Sequence, residues 1–299
     1  MRSLLITIAL LGSLSASAQG FDLERVTLNP GARETWFAQT GDGLEAMHLR
    51  VSLLGHYQHR PLVYTIDGTP VGAYVASRWT THLVAAFGIH DFFEAGLQLP
   101  VVLAQSGEDL SLFGLTPVQS FSLGAPWLHV RSAFLRQSKG LPLDLAVSLA
   151  LSLPFGSWNA LTLDPGIGLA FAPRLGAGRS FGPVRVGLEA GALIRGSAVL
   201  SPSTAEIRDE VGSQFSSALA LSTVGLPIQA ELTARITAPF TATGISFELL
   251  AAIRGTLFKQ LEVSVMGGPG FGKAPGTPAF RVLFGIGWTP DFSAPAAKP

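Results

Sequence analysis

Residues 178–182 read GRSFG, which fits the G-x-S-x-G string and would make Ser180 a nucleophile. That chemistry needs a strand, a sharp turn and then a helix, with an acid and a histidine downstream. Here another strand pattern follows and no histidine occurs after His129, so a hairpin turn is expected. Residues 267–274, GGPGFGKA, nearly fit a phosphate-binding loop. Ala274 stands where Ser or Thr must reach Mg²⁺, and the APGTP that follows cannot open a helix, so an outer loop is expected. His56 and His59 lie three apart in HYQHR and could share a metal. No carboxylate is close in sequence, and they are expected as a surface pair in a loop. His48, His82 and His129 have the parity of polar strand faces. Cysteine is absent, which excludes thiolate metal sites, cysteine nucleophiles and disulfides. No catalytic residue, metal site or cofactor site is assigned, and the chain is not expected to be an enzyme.

What remains is a sparse set of charges in an oily chain. Charged residues are 13% of the total and mean hydropathy is +0.40. Twenty basic residues balance twenty acidic ones, so no nucleic-acid footprint is visible. In VRVGLEAGALIR (184–195), Val184, Val186, Leu188, Ala190, Ala192 and Ile194 form one alternate set, with Arg185, Gly187, Glu189 and Arg195 in the other. Side chains of a strand point alternately to its two faces, so one face is aliphatic and the other polar or small. The same rhythm runs through residues 93–103, 143–153, 227–238, 245–254 and 280–288. It predicts that Arg185, Glu189, Glu231, Arg235, Glu248, Arg254, Glu262 and Arg281 line a lumen. Buried charges need partners. Arg235 is expected opposite Glu248, Arg254 opposite Glu262, and Glu262 within reach of Arg281.

Applied throughout, the template predicts twelve strands near 44–57, 78–89, 92–105, 123–137, 142–153, 164–177, 183–196, 213–224, 226–239, 244–255, 259–269 and 278–289. Most run well beyond the usual soluble strand and reach the roughly 9–11 residues that a tilted membrane strand needs. Connections after even-numbered strands are short, and most of the others are longer, as in a barrel with short periplasmic turns and long outer loops. Residues 62–75, turning at Asp67-Gly68, are expected as a hairpin in the first outer loop. Strands exposing aliphatic rows to lipid must close on themselves, because an open edge strands N–H and C=O groups in hydrocarbon. The fold class expected is all-β: a transmembrane antiparallel up-and-down β-barrel of about twelve strands. A helical bundle is the rival, since residues 145–163 carry no charge, but their period is two and Pro154 and Gly156 interrupt them.

Residues 1–18 have a basic start, an apolar core from Leu4 to Leu14 and an Ala16-Ser17-Ala18 end, the pattern of a cleaved signal peptide. Residues 19–43 are expected as a periplasmic N-terminal segment, with entry into the lumen left open. Residues 44–289 form the barrel and 290–299 a flexible tail. FDLERVTLNPG (21–31), followed by the barrel and by LPVVL (99–103), resembles the N-terminal barrel of certain OmpA-family outer-membrane proteins and, more distantly, the porin-type "MetA-pathway" barrel families. The resemblance implies an outer-membrane location. It carries over no site residues, nor the peptidoglycan-binding role of the OmpA-type proteins, since residues 289–299 (TPDFSAPAAKP) resemble only the start of a linker. Two functions follow as expectations. One is a porin-like passive channel for small polar solutes. The other is a closed structural or adhesive barrel whose outer loops (58–77, 106–122 and 197–212) bind partners. The lipid bilayer is the expected partner, and nucleic acid is not.

Overall fold

The computed structural model describes residues 20–290 except 25, 32–34, 67–68, 114, 200–209, 241–243 and 259. The expected signal peptide and most of the expected tail therefore lie outside the described residues. Twelve long strands form one antiparallel sheet: β1 Leu49–Ile66, β2 Thr69–His90, β3 Phe93–Ser106, β4 Trp127–Leu135, β5 Asp144–Ser152, β6 Ala170–Phe181, β7 Val184–Arg195, β8 Gln214–Thr223, β9 Ile228–Pro239, β10 Ser246–Leu257, β11 Leu261–Gly272 and β12 Phe280–Trp288. Each pairs with its neighbour in sequence. The first meets the last, from Val51 opposite Trp288 to His59 opposite Phe280, and the sheet closes into a barrel.

The two-residue rhythm sorts the side chains across this wall. In β7, Leu188 is 55% exposed on the outside while Glu189 is 2% exposed on the inside. Rows of Leu, Ile, Val and Phe cover the exterior of strand after strand, a surface suited to hydrocarbon and not to water. No helix among the described residues is long and apolar enough to cross a membrane.

Several boundaries differ from expectation. β1 and β2 run on beyond the wall as one long ribbon to the Ile66–Thr69 pair, with register shifts between His59 and Thr65. HYQHR is therefore strand and not loop, and the two arms of the expected 62–75 hairpin pair as the end of this ribbon, from Leu62 opposite Val75 to Ile66 opposite Thr69. GRSFG lies almost wholly within β6, whose turn is at Gly182-Pro183, and the first six residues of GGPGFGKA lie within β11. In β4 the regular strand begins only at Trp127. A two-residue strand, Ser122–Leu123, pairs with β3 just before it. Across the long connection after β7, Ala198–Val199 pairs with Glu210–Val211.

The ends of the barrel are unequal. Short turns follow β2, β4, β6, β8 and β10, and the long connections, including 107–126 and 153–169, gather at the other end. The segment expected on the periplasmic side, with its entry into the lumen left open, has its described residues in the interior. Gly20 packs on Trp158 at the long-loop end, and Met47 bonds Gly88 beside the short turns.

Candidate functional site

The described residues of the interior segment, within 20–48, lie in the lumen and pack against the wall. Phe21, Leu23, Phe37, Ala38 and Leu44 have no exposed surface. Val26, Leu28, Trp36 and Phe37 share one apolar cluster with Leu54, Val84, Leu250, Met266 and Leu283 of the wall. A cavity of about 20 Å³ remains beside Asp22, Glu24, Arg174 and Arg235, space for about one water molecule.

Polar contacts pin the segment along its whole length. At the long-loop end, Arg195 Nη1 donates to Asp22 O at 2.8 Å and to Asp164 Oδ1 at 3.0 Å. Asp164 lies in the connection after β5, where burial raises its carboxyl above the ordinary value against the pull of Arg195. Midway, Arg281 Nη1 lies 3.6 Å from Glu24 Oε1, and Arg174 Nη2 donates to Leu28 O at 3.3 Å. Further down, Glu189 Oε2 accepts from Gln39 N at 2.8 Å, and Arg185 Nη2 donates to Thr40 O at 2.6 Å. Near the short turns, Arg131 Nη1 donates to Asn29 Oδ1 at 2.7 Å, and Glu94 Oε2 accepts from Leu44 N at 2.9 Å. The described residues of the segment form no regular strand or helix of their own, so their backbone groups must find partners elsewhere, and wall side chains supply several. Guanidinium groups also lie over its rings: Arg50 and Arg254 over Trp36 at 5.3 and 5.1 Å, and Arg235 over Phe37 at 5.7 Å. Such contacts strengthen when desolvated, to about 2 kcal/mol.

All eight residues expected to line a lumen point inside the wall, seven of them buried and Glu262 at 14% side-chain exposure. Arg235 and Glu248 are direct cross-strand partners, although the Glu248 carboxylate turns to Arg281, at 3.2 Å from Nε. Arg254 Nε meets Glu262 at 3.4 Å. The expected reach from Glu262 to Arg281 is a correction. Arg281 stands opposite Gly268 on β11, while Glu262 stands opposite Gly287. Six residues of strand separate them, and Glu262 pairs with Arg50 at 2.8 Å.

The histidines also need correcting. His56 has no exposed surface and faces the lumen, whereas His59 lies on the outer face. Glu24, His56 and His82 bring three ligand atoms within 4.8 Å of one another, a set sequence distance concealed because Glu24 comes from the interior segment. These atoms do not fit a metal as they stand. Arg281 Nη1 is 3.1 Å from His56 Nδ1, and a guanidinium can only donate. The His56 proton is therefore assigned to Nε2, which faces Glu24 Oε2 at 2.9 Å and offers no lone pair to an ion. Ser180 has Arg185 and Gln137 as described partners, and neither is a general base.

No family model and no curated protein sequence matches the chain. Among solved structures, the COG4313 outer membrane channel from Pseudomonas putida F1 is similar at a TM-score of 0.63 and 14% identity, over 88% of this chain and 100% of that one. The KdgM porin is similar at a TM-score of 0.51 and 8% identity, over 81% and 99%. At these identities the likeness is one of fold. It is a likeness to outer-membrane barrels of twelve strands, and the OmpA-type resemblance gains nothing from it.

Proposed function

We propose that this chain is an outer-membrane channel for small polar solutes, closed at rest by residues 20–48 and opened when that segment shifts. The short turns then face the periplasm and the long connections the outside. Residues 1–18 act as the cleaved signal peptide that this location requires. The observation that carries the reading is the wall's hold on the segment: side chains grip its backbone from one mouth to the other. Such contacts can be exchanged for water or solute one by one. The fold shared with a protein described as an outer membrane channel supports it. No catalytic role is assigned to any residue.

The closed structural or adhesive barrel is the second reading, favoured by the apolar cluster around Trp36 and Phe37. A tether separates the two. The sequence has no cysteine, and Ala38 packs with Ala218 of β8 in one buried cluster. The full chain carrying Ala38→Cys and Ala218→Cys, reconstituted in planar bilayers, should be silent when oxidised and show ionic steps when reduced. Steps of equal size in both states would remove the gate from the proposal. Silence in both states and in the unmodified chain would leave the closed barrel.

A further inference from the structure

We infer that the path through this barrel takes small organic carboxylates. The inference rests on the channel reading above and names its substrate class. Among the described wall residues, nine arginines point inward and are buried, against six carboxylates, with no lysine among them. Those carboxylates are already engaged by wall arginines: Glu94 by Arg131 at 3.2 Å, Asp144 by Arg185 at 2.7 Å, and Glu189 by Arg174 at 3.5 Å. Glu231 and Glu262 meet Arg254, and Glu248 meets Arg281. The wall alone thus carries an excess of positive charge inside a low-dielectric cylinder, where a field of one sign is focused and concentrates counter-ions.

The interior segment shows what else these guanidinium groups bind. Arg131, Arg174, Arg185, Arg195 and Arg281 each reach an oxygen of residues 22–40, and for Arg281 it is the Glu24 carboxylate. Several guanidinium N–H groups stay unmet with the segment in place. Arg78 Nε, Arg131 Nε, Arg174 Nε and Arg195 Nη2 are buried with no acceptor among the described residues. A buried donor without an acceptor costs free energy, and a guanidinium fork matches a carboxylate in two-point geometry. Once the segment moves aside, the five guanidinium groups that held it run from one mouth towards the other, each with an oxygen to replace. A small carboxylate supplies that oxygen and the missing negative charge together.

The test is the reversal potential of the full chain in planar bilayers under a tenfold KCl gradient. Chloride should be preferred over potassium several-fold. Added succinate should reduce the KCl current, whereas tetraethylammonium should not. Arg78→Gln should move the permeability ratio towards one and Arg78→Lys should preserve it. Potassium preference, a ratio of one in the unmodified chain, equal ratios in the two Arg78 variants, or indifference to succinate would each overturn the inference while leaving the channel standing. Absence of ionic steps in any form of the chain would instead remove the channel reading, and the substrate class with it.

Discussion

Arg281 shows how the interior charges are organised. Its guanidinium, 1% exposed, meets Glu248 on the neighbouring strand pair, His56 across the seam and Glu24 of the interior segment. Removing one partner of a buried network leaves the other charges without compensation, which costs about 3–5 kcal/mol. Arg281→Met should therefore lower the unfolding free energy measured in urea by an amount in that range, and a Glu248→Gln, Arg281→Met double variant should recover part of the loss. Losses that simply add in the double variant would mean that the two groups do not act together. Much at this scale was legible beforehand. Parity alone places Arg185, Arg235 and Glu248 on the inner face, because a strand leaves each side chain only two directions. Parity would equally have placed His56 inside, had HYQHR been read as strand. Glu24 was beyond reach, since nothing in a two-residue rhythm says which loop or terminus will meet a strand in space.

At the scale of elements, the closest approaches of segment and wall fall at glycines. A Cβ built on Gly176 of β6 would run into the backbone of Gln39, and one on Gly187 of β7 into the side chain of Thr40. These glycines make room for the segment as it passes. Gly176→Val should push residues 39 and 40 off the wall and raise the fraction of time spent in the conducting state. An unchanged open fraction, with the barrel still folded, would show that this stretch is not what closes it. The strands were legible because each repeats one simple alternation. The interior segment was not, because Phe21, Leu23, Trp36 and Phe37 follow no strand or helix period. Burial inside another element's cavity imposes no periodicity on a chain. The hairpin of residues 62–75 was legible from its turn, but its continuity with β1 and β2 was not, for a related reason. Bulges near Leu62 break the rhythm while cross-strand bonds continue to Thr69.

For the molecule as a whole, closure is the controlling fact. With the β1–β12 seam paired, no edge of the barrel presents unpaired backbone groups to lipid. The refolded protein should therefore resist detergent at room temperature and migrate on gels as a compact band that shifts on boiling. A single band at both temperatures would contradict a sealed barrel. The seam has a further consequence when set beside the course of residues 20–48, which lie inside the ring from one rim to the other. If the leading stretch is laid down first and the first and last staves are joined around it, assembly has a prescribed order. A bulky folded cargo placed ahead of residue 20 would catch on that step, and its harm would appear as stalled insertion into the bilayer, with finished molecules working normally.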